Sequence, residues 1–595
     1  MRLPHRIDPS FIGIARQRPM TSTNKNTHGI RPCSFVRLLS FLALFSIASN
    51  QLLADDFRTV ALTGQTAAGL PQGNIFNSFS APALNAQGQT AFTSFLKSGG
   101  TTSNGVWSEG PGTLSLVASA GGAAPGTPAG ALFSSFNSYV TLNDNGRTAF
   151  YGYLQHGPGG VGNLDDEGLW AQGDSGLALV ARLIDSSPGT SSGEYFITIG
   201  PSTSSSDQPK LYSFTNSNEA AFVGDMGGTT SSLGHGIWVQ LAGATTLLVR
   251  SGSQAPDAPD GVTLGQFNTR PAVSDGGKFA IYTPLQGASA GVTTANDTGI
   301  LVGAPGSLHL LAREGEQAPG LPVGTHYGQF ITLPAINSHG DVAFSSTYAQ
   351  ITAFQFSGLW ANKNGVTRLV ESGDMQAPGA SAGIKFQFVE SEKINHSGDV
   401  AFLGYLQAPT GGAAPSVADH GIWKEVNGQL QLVARTGYFF SQPTDPIDVK
   451  TGTPVPGFPA DSGFFMFTQY VFNAAGQVAF TASATGGNGI WAEDRSGVLR
   501  LIVRNGSVID VDNGPGIDLR TVSTIRFAGS SGNDGGEASA FNDAGQIAFA
   551  AIFTDGSQGV FVSNIATVPE PAASAMILIA ALSAARYRRR PQTDN

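Results

Sequence analysis

Five arginines end the same short apolar phrase in different parts of the chain. The phrase reads Leu-Val-Ala-Arg or a close variant, and it ends at Arg182, Arg250, Arg313, Arg435 and Arg504. Guanidinium groups bind carboxylates through charge-assisted hydrogen bonds, so a partial circle of them would bind an acidic polysaccharide. The alternative, which we favour, is that each arginine bonds turn carbonyls or a carboxylate of the adjacent repeat, because charges at equivalent repeat positions are usually architectural.

Two histidines occupy one repeat position, directly before a Gly-x-Trp triplet. His235 and His420 could contribute to a metal site if that position faced a central channel. They lie three repeats apart, however, so we expect solvated loop edges rather than a shared ion.

Three further segments contain residue types used in catalysis or calcium binding. Gly173-Asp174-Ser175-Gly176 has the types of a serine-protease nucleophile segment, but it aligns with turns in other repeats, and no His and Asp are placed to support it. The acidic stretches 163–167 and 510–514 do not match the spacing of a known calcium loop, and a surface Ca²⁺ at either stays a hypothesis. No catalytic residue and no other cofactor is predicted.

An internal repeat must position all of these residues. Asn-x-x-Gly-x-x-Ala-Phe occurs in six clean copies and two degenerate ones, whose starts are 58 to 78 residues apart. Asn followed by Gly predicts a turn in which Asn closes an Asx-turn and Gly takes a positive φ, and Asn218 replaces that Gly in the third copy. The eight copies start at Asn85, Asn143, Thr215, Ser274, Asn337, Asn395, Asn473 and Asn542.

Each repeat predicts four short strands, and no segment of residues 55–568 has a helical period. A four-stranded unit of this size cannot bury both faces alone, so neighbouring units must stack. Radial stacking of such sheets gives a β-propeller. The predicted fold is therefore all-β, a single eight-bladed propeller over residues 55–567; two smaller propellers or an open β-repeat array are the alternatives.

The two ends of the repeat array predict closure of the ring. The eighth repeat stops after Phe561, without its Leu-Val-Ala-Arg strand. The segment from Arg58 to Phe79 resembles the missing half, so the N-terminal strands would complete the last blade and leave no open edge.

All six tryptophans occupy the same repeat position, in a Gly-x-Trp triplet. They could form an aromatic platform for sugars, but packing between blades is the interpretation we favour, since Leu301 and Phe561 take the position in two repeats. Specificity should lie where the repeats differ, because loops on a rigid scaffold carry it. The longest departures are residues 185–208, 283–298, 407–420 and 438–463, and their aromatic residues are Tyr195, Phe196, Tyr438, Phe439 and Phe440.

The N-terminus predicts export, and the overall charge bears on the choice of partner. Residues 1–54 combine a basic region with an apolar stretch, Leu38 to Ala48, and predict a signal peptide that contains the chain's one cysteine, Cys33. The ends, residues 1–54 and 569–595, hold eleven of the 32 Lys and Arg residues but three of the 42 Asp and Glu residues, which leaves about −18 on residues 55–568. That charge argues against nucleic acid as a partner.

The C-terminal segment, residues 568–595, carries a second signal. Pro569-Glu570-Pro571 precedes a short apolar run and then Arg586, Arg588, Arg589 and Arg590. This arrangement resembles the PEP-CTERM sorting signal of Gram-negative bacteria, and together with the Asn-x-x-Gly-x-x-Ala-Phe repeats it resembles the bacterial choice-of-anchor tandem-repeat family. A permanent tail anchor is the alternative.

The resemblance implies export, cleavage by an exosortase near Pro569–Pro571 and delivery to the cell surface or the extracellular matrix. It implies membrane contact only through the C-terminal segment, and it brings no known reaction. We therefore predict a structural or ligand-binding protein whose partners are the export machinery and, as a hypothesis, an extracellular polysaccharide. The alternative is an extracellular polysaccharide hydrolase or lyase with a site in the propeller funnel.

Overall fold

The computed structural model describes residues 56–98, 101–200, 212–228, 234–351, 354–363, 365–380, 382–407, 419–436, 455–456, 463–529 and 536–567. The predicted signal peptide, Tyr438, Phe439, Phe440 and the C-terminal signal with Pro569, Glu570, Pro571, Arg588, Arg589 and Arg590 lie outside these ranges. Across the ranges given, no helix is both long and apolar enough to cross a membrane.

The first half of the chain forms β1 and four blades. Strand β1 spans Phe57–Leu62. Blade 1 contains β2 (Ile75–Phe79), β3 (Ala83–Leu84), β4 (Thr90–Ser98), β5 (Thr101–Ser108) and β6 (Ser115–Ser119). Blade 2 contains β7 (Phe133–Leu142), β8 (Thr148–Leu154), β9 (Glu167–Gly173) and β10 (Gly176–Arg182). Blade 3 contains β11 (Tyr195–Ile199), β12 (Tyr212–Phe214), β13 (Ala220–Gly227), β14 (Gly234–Leu241) and β15 (Ala244–Arg250). Blade 4 contains β16 (Thr263–Leu264), β17 (Ala272–Val273), β18 (Phe279–Gln286), β19 (Thr298–Gly303) and β20 (His309–Arg313).

The second half forms the other four blades. Blade 5 contains β21 (Ala335–Ile336), β22 (Val342–Ile351), β23 (Phe354–Asn362) and β24 (Val366–Glu371). Blade 6 contains β25 (Lys385–Ile394), β26 (Val400–Gln407), β27 (His420–Val426) and β28 (Gln429–Arg435). Blade 7 contains β29 (Phe464–Phe472), β30 (Val478–Ala484), β31 (Gly487–Glu493) and β32 (Leu499–Arg504). Blade 8 contains β33 (Val508–Asp510), β34 (Leu519–Arg526), β35 (Ile547–Phe553) and β36 (Gln558–Ser563). Single 3-10 turns lie at Pro158–Gly160, Ala288–Ala290 and Ile565–Thr567.

The chain is thus an eight-bladed β-propeller of antiparallel sheets, as predicted. Each blade has four main strand positions, but four blades have five strands. In blades 1, 3 and 4 the innermost strand is divided in two, and in blade 8 the short β33 adds to β34. Register shifts in the unbroken inner strands, such as the one between Phe136 and Val140, lie in the same region. These irregularities bend the innermost strand where it lines the ring.

The ring closes through β1, which pairs with β36 and becomes the outermost strand of blade 8. Ala61 lies opposite Val560, and the side-chain amide of Asn513 bonds both the N–H and the C=O of Thr59 at 2.8 and 2.7 Å. The predicted closure is therefore confirmed, whereas two smaller propellers and an open array are excluded. One detail of the prediction is wrong: residues 75–79 begin blade 1, so a single N-terminal strand completes the ring.

The repeat asparagines close their turns as predicted. Asn473 Oδ1 accepts the Gln477 N–H at 2.8 Å, and Gly476 has φ 77°. In the degenerate third copy, Asn218 takes the left-handed conformation at φ 61°.

The same asparagines also link each blade to the next. The side-chain amide of Asn473 donates to the carbonyl oxygen of Asn542 at 2.9 Å, and that of Asn542 donates to Asn85 at 3.0 Å, across the point of closure. Asn85, Asn143, Asn337 and Asn395 bond the following repeat in the same way. Blades 3 and 4 lack this asparagine. Between these two blades, the backbone N–H and the side-chain amide of Asn216 donate instead to the Asp275 carboxylate, at 2.7 and 2.8 Å.

The tryptophans lie in the cores between blades, and each is fully buried. Each indole N–H donates to a carbonyl of the loop that precedes its own blade, as Trp423 does to Pro378 at 3.0 Å. The indole ring of the tryptophan folds back over the glycine of the same Gly-x-Trp triplet. A Cβ on Gly421 would lie 2.8 Å from the Trp423 indole and 2.6 Å from the Ala434 carbonyl oxygen. The predicted packing role is confirmed, and the glycine is required by the tryptophan.

Candidate functional site

Two of the cavities formed by the described residues lie at the centre of the ring, and a third, of about 460 Å³, adjoins the first and shares Gln469, Arg526 and Phe527 with it. The first, of about 470 Å³, is lined by residues on or next to the inner strands of blades 1, 2, 7 and 8 and by Thr93 and Phe95 of β4, and we call it the axial pocket. The second, of about 140 Å³, is lined by inner-strand residues of blades 4, 5 and 6 together with Glu537, and we call it the Glu392 cavity. Because each is shared by the inner strands of three or four blades, both must lie at the axis.

Residues 536–541, the axial segment, separate the two cavities. They lead into the last inner turn from an insertion in blade 8. The Gly536 carbonyl accepts the Phe214 N–H at 2.7 Å, and the Ser539 carbonyl accepts the Leu84 N–H at 2.6 Å. The Ala538 N–H donates to the Tyr139 hydroxyl at 3.2 Å. The segment therefore bonds blades 1, 2 and 3 from the middle of the ring.

An ion pair ties the axial segment to blade 4. Glu537 pairs with Arg270, and their side chains are only 4% and 5% exposed. Arg270 also donates to the Ser213 hydroxyl at 2.8 Å. A buried charge needs such a partner, since an isolated one would cost several kcal/mol, about 3–5 when one partner of a pair is removed.

Glu392 is a buried titratable group of the smaller cavity, which Arg270, Lys393 and Glu537 also line. Its carboxylate accepts the Thr332 hydroxyl at 2.8 Å and the Ser345 N–H at 3.0 Å. Burial raises the pKa of Glu392 to about 7, against the lowering effect of these bonds and of Lys393. Glu392 and Glu537 thus line one cavity in different environments, one neutralisable near pH 7 and the other paired with a cation.

The axial pocket combines aromatic and polar walls. Phe95 is 57% exposed, although most apolar residues of β4 are buried. Arg526 is exposed at the end of β34 and donates one N–H to the Phe79 carbonyl. Other lining residues are Ser78, Ser80, Thr93, Ser138, Tyr139, Gln469 and Phe527.

The five repeat arginines lie at the ends of outer strands, far along each sheet from the inner strands. Arg182 pairs with Asp185 at 2.8 Å and Arg250 with Glu194 at 2.6 Å. Arg435 pairs with Asp419 at 3.1 Å, and Arg313 donates to the Asn296 carbonyl at 3.2 Å. Glu194, Asp419 and Asn296 belong to the same blade as their arginine, and Asp185 lies between blades 2 and 3. The bond of Arg313 to a carbonyl agrees with our expectation, whereas the carboxylates of Glu194 and Asp419 are not those of an adjacent blade. Arg504 ends β32 in the same way, and its backbone N–H donates to the Ser507 hydroxyl at 3.0 Å. Binding of an acidic polysaccharide by this group stays a prediction.

The histidine position is buried rather than solvated, so that expectation is wrong for both residues. His235 is bonded to Asp225 at 2.6 Å and to Gln266 of blade 4. His420 accepts the Phe467 N–H of blade 7 at 3.3 Å. Both therefore join adjacent blades. Within the described ranges no three His, Cys, Asp or Glu side chains are grouped to hold a metal ion.

The other sequence candidates have structural roles. Asp174 and Ser175 form the turn between β9 and β10, as predicted. In the 510–514 stretch, Asp510 accepts two backbone N–H groups and Asn513 holds β1. Phe196, expected in a variable loop, is instead 2% exposed in β11 against Trp238.

Sequence reasoning missed the axial residues. Arg270, Glu392, Tyr139 and Gln469 lie three or four positions before the repeat asparagine or its replacement, and no residue type there is common to all the repeats. The sequence signal that could have found them is this divergence. A charged residue that one repeat has, and the others lack, at an inner-strand position is a candidate to face the axis. The insertion of blade 8 was a second signal, because it separates Ile525 from Asn542 by more residues than any other described repeat has there.

These features define a closed eight-bladed propeller with a divided axial channel. The chain belongs to a family of unknown function, DUF7453, whose model matches residues 44–182, 165–451 and 287–575 in overlapping segments. No curated protein matches the sequence.

Solved structures with similar folds include enzymes of several kinds. An oligogalacturonate lyase in complex with manganese is 10% identical, with a TM-score of 0.30, and the match covers 73% of this chain and 95% of that chain. Prolyl oligopeptidase B from Galerina marginata is 10% identical, with a TM-score of 0.32 and coverage of 71% and 47%. An acylaminoacyl peptidase from Pyrococcus horikoshii is 10% identical, with a TM-score of 0.31 and coverage of 81% and 52%. The chain thus spans about half the length of the two peptidases, and nothing about substrate or reaction follows from these likenesses.

Proposed function

We propose that this protein is exported to the cell surface or extracellular matrix, where its rigid ring binds a ligand at the axial pocket. The observation that supports it best is the pocket itself, about 470 Å³ with walls from four blades. Cavities of this size with apolar walls and a few placed polar groups are typical binding sites. The closed ring and the axial segment keep those walls fixed, which lowers the entropy cost of binding.

The charged groups nearest the axis favour binding over catalysis. Both carboxylate oxygens of Glu392 lie within hydrogen-bond distance of the Thr332 hydroxyl, which donates to them. Glu537 forms an ion pair with Arg270. A general acid or base must reach the proton that it transfers, and these contacts would have to be broken first.

Export rests on the two terminal segments. The signal-peptide pattern of residues 1–54 and the sorting pattern of residues 568–595 are the support, and the export machinery and an exosortase are the partners they require. The C-terminal apolar run would hold the chain in the membrane only until cleavage.

Fractionation of the producing cells, with intact-mass analysis of the recovered protein, tests export. We expect a surface or extracellular product that begins near Asp55 and ends near Pro569–Pro571, without Arg588–Arg590. A variant with Pro569→Ala and Pro571→Ala should keep its C-terminus. An unprocessed wild-type chain in the cytoplasm would contradict the proposal.

A second candidate function is polysaccharide hydrolysis or lysis from the funnel, and the pair Glu392 and Glu537 favours it. Two carboxyl groups of one cavity in different environments are the usual requirement for acid–base work. Release of reducing ends or unsaturated products from a polysaccharide panel would support this candidate if Glu392→Gln abolishes it. We expect no product from either protein.

A further inference from the structure

We infer that the axial pocket binds a sugar unit that carries a carboxylate, through Arg526 and the ring of Phe95. This inference rests on the proposed function and names its ligand class. Three features of the pocket lead to it: an exposed aromatic ring, a single charge of positive sign and a set of hydroxyl and amide groups.

Phe95 supplies the apolar surface. In β4 it is 57% exposed between Ser94 and Leu96, which are 2% and 1% exposed. Leaving a large ring in water forgoes burial worth about 1.5–3 kcal/mol, so such a ring in a concave site indicates a ligand surface. The flat C–H face of a pyranose ring is a partner that would cover it while its hydroxyls stay bonded to the walls.

Arg526 supplies the charge. It is the one charged residue among the described residues that line the pocket. One of its N–H groups donates to the Phe79 carbonyl, and a guanidinium has five such donors. Its planar fork matches a carboxylate in a bidentate pair, and no carboxylate of the described lining competes for it.

Polar groups around these two side chains suit a sugar better than an apolar acid. Gln469 and Ser138 are exposed in the lining, and Ser78 and Ser80 are partly exposed. An apolar acid would strip water from these groups without replacing its hydrogen bonds, which costs affinity. A hydroxyl-rich ring replaces them.

Calorimetric titration of the purified full-length chain tests the inference. The probes are a glucuronic acid trisaccharide, the same trisaccharide with its carboxyl groups reduced to hydroxymethyl groups, and a sulfated neutral trisaccharide. We expect the carboxylated probe to bind about tenfold or more tightly than the other two, since an Arg–carboxylate pair is worth more than a neutral bond.

Variants then locate the site. Arg526→Gln and Phe95→Ala should each weaken binding of the carboxylated probe by about tenfold or more, as truncation of a central contact does. Arg495→Gln, in the exposed turn before β32, is the matched control and should bind normally. All variants should keep the wild-type unfolding temperature, because neither Phe95 nor Arg526 is buried.

Each contrary result has a separate meaning. Equal binding of the carboxyl-reduced or sulfated probe would overturn the carboxylate but leave the binding function in place. Binding lost in Arg313→Gln but kept in Arg526→Gln would move the site to the repeat arginines and overturn the pocket. No binding of any probe would overturn both this inference and the ligand-binding half of the proposed function, while the fractionation result would still stand.

Discussion

Glu392 is a buried carboxyl group whose charge depends on pH near neutrality. Between its ordinary pKa of 4.5 and the raised pKa of about 7, the folded protein binds a proton that the unfolded chain has lost. Its favourable contribution to the free energy of unfolding is therefore complete below pH 4.5 and is lost as the pH rises through 7.

Substitution of Glu392 by Gln should remove this pH dependence. Gln can still accept the bonds from Thr332 and Ser345 but never becomes charged, so at pH 8 the variant should be more stable than the wild type, by at most about 3 kcal/mol. Near pH 5 the difference should vanish. Urea unfolding at several pH values measures it, with Glu316→Gln, at an exposed loop position, as the control. Lys393 and Tyr470 also face this carboxyl group. A difference in stability that does not change with pH would show that, beside these two groups, Glu392 does not become neutral at low pH.

The repeat asparagines explain why their residue type recurs. Asn473 is 3% exposed and uses its oxygen for the turn and its amide for the next blade. In Asn473→Asp the oxygen bond survives, but a carboxylate faces the Asn542 carbonyl. We expect the free energy of unfolding to fall by about 1–3 kcal/mol.

The matched control for this prediction is Asn74→Asp. The amide of Asn74 makes a surface bond to the Pro71 carbonyl, so its loss should change little. Equal effects of the two substitutions in denaturant unfolding would mean that the link between blades contributes nothing.

At the scale of the element, the Gly-x-Trp strand depends on close packing within the blade. Gly421→Ala would place a methyl group against the Trp423 indole and the Ala434 carbonyl. Either the indole or the neighbouring strand β28 must then shift. Overpacking of this kind costs about 1–3 kcal/mol. Gly173→Ala is the control, because a Cβ there meets nothing within 4 Å. Thermal unfolding of both variants decides whether the clash or the loss of a glycine as such matters.

The strands that repeat regularly could be predicted, while the irregular ones could not. The turn at Asn473 and the burial of Trp491 could be predicted because the asparagine and the tryptophan each recur at one position in six of the eight repeats, which chance similarity does not explain. The division of the inner strand around Pro82 or Pro271, and the crossing of residues 536–541, depend on contacts between blades distant in sequence. No local pattern records such contacts. The same reason hid Arg270 and Glu392, whose meaning comes only from their position at the axis.

At the scale of the whole molecule, the axial segment of blade 8 bonds blades 2, 3 and 4, which are not its neighbours in the ring. Arg270→Met or Glu537→Met alone should lower the free energy of unfolding by about 3–5 kcal/mol, because each leaves a buried charge without its partner. The double variant should be much closer to the wild type. Denaturant unfolding of the four proteins measures the coupling, and purely additive losses would show that the two charges act independently.

Closure by β1 also bears on when the molecule can finish folding. Strand β1 can pair only after β36 has been synthesised, because the two are far apart in sequence. The Gln558 N–H, for example, donates to the Thr63 hydroxyl across 495 positions. Contacts of such separation form late and slowly. The ring of a nascent chain therefore stays open until almost all of the chain has been synthesised.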